Sequence, residues 1–182
     1  KKLTPSKLTT QIKQRMSEPP AKKKEYDGDF THKVSTGSTL LDLAISGGRV
    51  RGGGLPGGVL VEAFGPSGSG KTVVLCQIAG AVQRQGGSIF FRDPEARLNR
   101  QFATMFDLDV EEMEIDHPDT IPEVFEPIRK WAPEPEGNLH GVFVDSLAAL
   151  STNLELEGKE GDKMGMRRAK EFSEQLRKTC RV

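Results

Sequence analysis

Apolar residues recur every four positions at Val74, Ile78 and Val82, with Leu75 and Ala79 beside them. That spacing predicts an amphipathic helix. The run Val59-Leu60-Val61-Glu62-Ala63-Phe64 just before it predicts a buried strand. Ser88-Ile89-Phe90-Phe91-Arg92-Asp93 and Gly141-Val142-Phe143-Val144-Asp145 predict two more, and Met113-Glu114-Ile115 a short one. Helices are expected from Gln101 to Phe106 and over Ile121, Val124, Phe125 and Ile128, the latter ending near Trp131-Ala132-Pro133. Strands and helices in alternation imply an α/β fold with a mainly parallel, doubly wound sheet. Ligands in such sheets bind at the carboxyl ends of strands, so Gly65, Asp93, Glu95 and Asp145 should converge there.

Residues 1–34 read differently. Leu8, Ile12 and Met16 recur at helical spacing after Thr4-Pro5-Ser6, and Pro19-Pro20 ends the pattern. A lone short helix is marginal in water, so its apolar stripe needs a surface, either its own core or a neighbouring subunit. The expected organisation is an N-terminal helix and linker over 1–34 and a nucleotide-binding core over 35–182. Gly47 to Gly54 is a glycine and arginine loop near the start of that core.

Composition narrows the setting. The 26 basic residues balance 26 acidic ones, so net charge argues neither for nor against nucleic acid, and only local clusters can. Two cysteines, Cys76 and Cys180, give no disulfide framework, which fits a reducing, cytoplasmic protein. No apolar run is long enough to span a bilayer, so no membrane partner is expected.

The chemistry begins between the first predicted strand and its helix. Gly65-Pro66-Ser67-Gly68-Ser69-Gly70-Lys71-Thr72 fits G-x-x-x-x-G-K-[ST], the Walker A loop of nucleoside-triphosphate enzymes. Glycines let the backbone wrap phosphate oxygens with its amides, and the following helix start faces the same anion. Lys71 would place its charge on the β and γ phosphates, and the Thr72 hydroxyl would ligate Mg²⁺. Asp145, closing an apolar strand, would stand behind that metal. Asp93-Pro94-Glu95 follows the neighbouring strand. Hydrolysis needs a carboxylate to orient or deprotonate water, and Glu95 is the candidate, with Asp93 second.

Several segments together resemble the RecA recombinase family. Val34-Ser35-Thr36-Gly37-Ser38-Thr39-Leu40-Leu41-Asp42 is similar to its "STGS…LD" segment, and Gly54-Leu55-Pro56-Gly57-Gly58 to the turn before its first core strand. The phosphate loop, Asp93-Pro94-Glu95-Ala96 and Val144-Asp145-Ser146-Leu147-Ala148-Ala149-Leu150 follow in family order. Glu157-Gly158-Lys159-Glu160-Gly161-Asp162-Lys163-Met164-Gly165 resembles the family's first DNA-binding loop. The likeness runs from about residue 34 to the end.

The resemblance implies a DNA-dependent ATPase of P-loop, RecA type. Glu95 would activate water. Phe102 falls where relatives set an aromatic ring against adenine, though it fits a helix core equally well. Asn99 falls where bacterial relatives hold the adenine amino group with an aspartate. It could equally be a helix cap. Lys159 and Lys163 would neutralise DNA phosphates, Met164 would wedge between bases, and Arg167 and Arg168 would follow on a helix whose inner face is Ala169, Phe172 and Leu176. On charge alone the loop reads as a solvated one, because Glu157, Glu160 and Asp162 nearly cancel its lysines. Ala169 stands where the family carries an arginine, and the family's second DNA loop has no counterpart here, so the core is expected to be C-terminally incomplete.

The function implied is filament formation on single-stranded DNA, with ATP between protomers, and pairing with a homologous duplex for strand exchange in recombinational repair. Two alternatives stay open: a mediator or paralogue that binds ATP with little turnover, and a ring-forming P-loop ATPase.

Overall fold

The computed structural model describes residues 31–47, 53–152 and 164–180. Two short strands, β1 (Lys33–Val34) and β2 (Leu55–Pro56), form an antiparallel ribbon with Val34 opposite Leu55. Between them lies helix α1 (Thr39–Ser46), capped by the Ser38 side chain, which accepts the Leu41 amide. The long helix α2 (Lys71–Arg84) leads to strand β3 (Ile89–Arg92). A short helix α3 (Arg100–Thr104), strand β4 (Glu114–Asp116), helix α4 (Ile121–Ile128), strand β5 (Gly141–Val144) and helix α5 (Met164–Thr179) complete the order.

β3 is the centre of a parallel sheet, with β4 on one side and β5 on the other. All four of its residues are buried, as expected of a strand covered on both faces. Side chains alternate across it. Ile89 and Phe91 point to one face, where Cys76, Ala79 and Val82 of α2 close a core with Ala103 and Leu108. Phe91 stacks on Phe143, its partner in register on β5, at 6.1 Å. On the other face Ile121, Val124 and Phe125 of α4 pack with Leu150, Val144, Phe172 and Leu176. Arg92 points to this second face and is almost fully buried. Its guanidinium donates to Asp116 of β4 at 2.6 Å and to the Glu123 carbonyl of α4 at 2.5 Å. Helices thus cover both faces of a parallel sheet, an α/β fold.

Sequence signals explain several boundaries. Thr120 and Glu123 form a reciprocal capping box that starts α4, and Arg129 follows its last residue. The expected strands over 88–93, 113–115 and 141–145 are present as β3, β4 and β5, each shifted or trimmed by a residue or two. The helix expected from Gln101 to Phe106 ends at Thr104 and continues as a turn.

One expectation fails. Val59–Phe64 is not a strand, and it is not buried: Leu60 is 70% exposed and Phe64 88%. Strand propensity alone does not place a run in a ladder: none of the described strands pairs with this one, and tertiary context overrides its composition. The helix expected around Leu8, Ile12 and Met16 lies outside the described residues, as does most of the loop between Gly47 and Gly54.

Asp42 secures the segment around α1. Its carboxylate accepts the Ser35 hydroxyl at 2.6 Å, and the Thr36 hydroxyl and amide at 2.7 and 2.8 Å. Burial alone would raise this carboxyl. The Ser35 and Thr36 hydrogen bonds outweigh it and hold the group below its ordinary 3.8. A depressed folded-state value gives stability that is full above 3.8 and is lost as pH falls through the folded value. Asp42→Asn is therefore expected to cost about 2 kcal/mol at pH 7 and to flatten the acid limb below pH ~4. Urea unfolding at pH 7 and pH 3 checks this, and an equal acid loss in both proteins would contradict it.

Candidate nucleotide-binding site

The loop Gly65–Thr72 turns the chain into α2. Gly68 and Gly70 have φ of 75° and 88°, left-handed values that side-chain-bearing residues rarely adopt. Gly70 is the N-cap of α2 and provides no side chain to satisfy the helix's first amides. Those donors are left facing outward, where an anion would be favoured by both hydrogen bonds and helix dipole. Lys71 folds back over the loop, with Nζ donating to the carbonyls of Gly65 at 3.1 Å and Pro66 at 2.9 Å.

The first turn of α2 meets the carboxyl end of β5. The Thr72 hydroxyl donates to Asp145 Oδ2 at 2.5 Å, bridging 73 residues of sequence. Asp145 is itself fixed by its amide, which donates to the Arg92 carbonyl at 3.0 Å. Its charge is felt at Cys76 one turn on: burial, then Asp145, pushes that thiol up to about 11. Cys76 is therefore a neutral packing residue behind the loop.

Next to Asp145, the Ser146 hydroxyl reaches Glu95 Oε1 at 3.4 Å. Arg97 Nη1 lies 2.7 Å from the other oxygen, Oε2. Thr72, Asp145, Ser146 and Glu95 thus form one connected line from the glycine loop across the ends of β5 and β3. Asp93 has another task. It is buried, its carboxylate accepts the Leu98 amide at 2.8 Å, and its carbonyl accepts the Ala96 amide at 3.1 Å. Asp93 therefore shapes the loop that presents Glu95.

Asn99 caps α3, accepting the Phe102 amide at 3.2 Å. Phe102 is half-buried, packs against the core under α2 and meets Phe106 edge-on at 5.0 Å. Both side chains therefore have structural partners beside the adenine roles the resemblance implies.

The residues expected at DNA fall in two groups. Lys159 and Lys163 lie outside the described residues, and Met164 begins α5. Arg167 is exposed, whereas Arg168 turns inward, donating to the Ala148 carbonyl at 2.5 Å and lying 6.0 Å over the Phe172 ring. Phe172 and Leu176 do face the core, but Ala169 is exposed and Gln175 is buried in its place. Gln175 accepts a hydrogen bond from Arg129 at 2.9 Å, so the inner face of α5 is partly polar.

Ser146 and Arg97 carried no signal of their own in the sequence. A hydroxyl after a strand-end acid and an arginine two residues after a glutamate are common on turns, and only folding brings 95 and 146 together. The fit to nucleotide and Mg²⁺ is chemical. Among the described residues no group of three or more His, Cys, Asp or Glu side chains could hold a metal. The Thr72 hydroxyl and the Asp145 carboxylate are oxygen donors of the kind Mg²⁺ takes, an ion that keeps most of its shell as water and phosphate oxygen. Among the described residues no helix is long and apolar enough to cross a membrane.

A family profile described as the RecA N-terminal domain matches residues 21–182. Protein RecA of Delftia acidovorans (strain DSM 14801 / SPH-1) is 37% identical over 145 residues, 80% of this chain. Those residues span 38% of the relative's length.

Proposed function

Since this chain belongs to the RecA family, we propose that it is the nucleotide-binding part of a DNA recombinase that hydrolyses ATP. The observation that carries this reading is the line Thr72–Asp145–Ser146–Glu95, which joins the glycine loop to two strand ends. The amides of Gly65, Ser67, Gly68, Ser69 and Gly70 surround the phosphates, and Pro66, which has no N–H to give, fixes the turn between them. Lys71 exchanges its two loop carbonyls for phosphate oxygens. Thr72 and Asp145 hold Mg²⁺, which when bound neutralises phosphate charge. Glu95 orients the attacking water. Asn99 and Phe102 bound the adenine while keeping their places in α3.

The full fold in this reading is a doubly wound P-loop sheet, supported by the parallel order β4-β3-β5 with helices on both faces and by the Thr72–Asp145 bond that ties the glycine loop to the end of β5. Residues 35–182 form the core, which Lys33–Val34 joins as β1, and the helix expected ahead of that strand rests on a neighbouring protomer. ATP lies between protomers of a filament on single-stranded DNA, which pairs with a homologous duplex and exchanges strands. Hydrolysis removes the γ-phosphate contacts and favours the weakly bound state.

In the same reading, DNA contact falls to Lys159, Lys163, Met164 and Arg167. Arg168 keeps its bond to Ala148, so it supports the loop's exit more than it touches DNA. A Lys159→Ala, Lys163→Ala pair is expected to make the plot of log affinity against log salt shallower by about 1.4 on single-stranded DNA. Fluorescence anisotropy across a salt series measures this, and an unchanged slope would remove the loop from the DNA interface.

A further inference from the structure

The geometry points to Arg97 as a positioning residue for ATP hydrolysis: it holds Glu95 in a resting arrangement and must leave before that carboxylate can take up the attacking water. This rests on the ATPase reading above.

Glu95 is gripped from two sides. Arg97 Nη1 is 2.7 Å from Oε2, and the Ser146 hydroxyl is 3.4 Å from Oε1. The guanidinium contact is shorter and charge-assisted, so it sets the direction of the carboxylate. A general base must come within hydrogen-bond reach of its water, and a bound guanidinium occupies one of the two oxygens that would do so.

The backbone under this pair is fastened independently of it. Asp93 ties the loop through the amides of Ala96 and Leu98, and Ala96 holds a φ of 50° between the two charged residues. Breaking the ion pair therefore requires only side-chain motion. The Arg97 side chain is 77% exposed, against 29% for Glu95. An exposed pair of this kind is weak, and a polyanion nearby can draw the arginine away. A DNA backbone has that chemistry. Arg97 thus acts as a brake on the nucleotide-bound site, released by the charge of the DNA that the protein binds.

The test compares wild type, Arg97→Ala and Arg97→Lys in the full chain. Without DNA and at saturating ATP, Arg97→Ala is expected to turn over about threefold faster, the size of one exposed ion pair. KM for ATP should stay within about twofold, because the change acts on the step after binding. Arg97→Lys keeps the charge and should stay near wild type. A second readout needs no turnover. In nucleotide-free protein, carbodiimide with an amine nucleophile should label Glu95 about threefold faster in Arg97→Ala than in wild type, scored by peptide mass spectrometry. Unchanged labelling, or turnover equal to or below wild type in Arg97→Ala, overturns the proposal. Failure of the ATPase reading looks different: Glu95→Gln would then hydrolyse ATP at the wild-type rate. If both readings hold, Arg97→Ala gains nothing in a Glu95→Gln background.

Discussion

Lys71→Ala is expected to weaken ATP binding by about 100-fold or more, the loss of two charge-assisted hydrogen bonds to phosphate. The ammonium now spends its donors on the carbonyls of Gly65 and Pro66, both on the loop itself. These are exposed contacts to groups that water can satisfy equally well, so little folding energy depends on them. A phosphate chain offers far more charge than two carbonyls, and the lysine needs only a side-chain rotation to reach it. Binding should therefore fall while the melting temperature of the nucleotide-free protein moves by no more than about 2 °C. Calorimetric titration with a non-hydrolysable ATP analogue and Mg²⁺ separates the two effects. Affinity within about threefold of wild type would mean that the loop does not hold the triphosphate.

Glu95→Gln should have the opposite profile. Glutamine keeps the shape and can still meet the Ser146 hydroxyl, but it cannot take a proton, and it loses the charge that pairs with Arg97. Turnover on single-stranded DNA should fall by about 10²- to 10⁴-fold with ATP affinity nearly unchanged. Single-turnover kinetics with labelled ATP would isolate the chemical step. Normal hydrolysis by this variant would move the base elsewhere. Asp93 would be a poor substitute, because its carboxylate is buried and already accepts the Leu98 amide.

Much of the scaffold was legible because local pattern and tertiary role agree there. The four-residue repeat of Val74, Ile78 and Val82 and the glycines before it gave α2 and its loop. The apolar runs at 88–93 and 141–145 gave the two strands whose ends carry Glu95 and Asp145. Where partner and pattern part company, the sequence misleads. Val59–Phe64 has strand composition, but composition does not say whether an edge will receive it, and among the described strands none does. Arg168 and Ala169 show the same limit on a helix. Charge marked Arg168 for the surface and apolarity marked Ala169 for the interior. The Ala148 carbonyl and the Phe172 ring draw the arginine inward instead. Asp42 is a charged residue that the interior accepts because three short hydrogen bonds await it, a circumstance visible only once Ser35 and Thr36 are folded around it. The grip of Arg97 and Ser146 on Glu95 is likewise a product of folding, since one half of it comes from 51 residues away.

The uncovered stretch from Val59 to Phe64 has a bearing on how this polypeptide behaves when handled by itself. Exposed along its length, Val-Leu-Val-Glu-Ala-Phe is a ready seed for stacking between molecules, in the manner of amyloid-forming hexapeptides. Glu62 is the one gatekeeper charge within it. While the stretch stays uncovered, crowding of nascent chains favours such stacking, and within the hexapeptide only Glu62 opposes it.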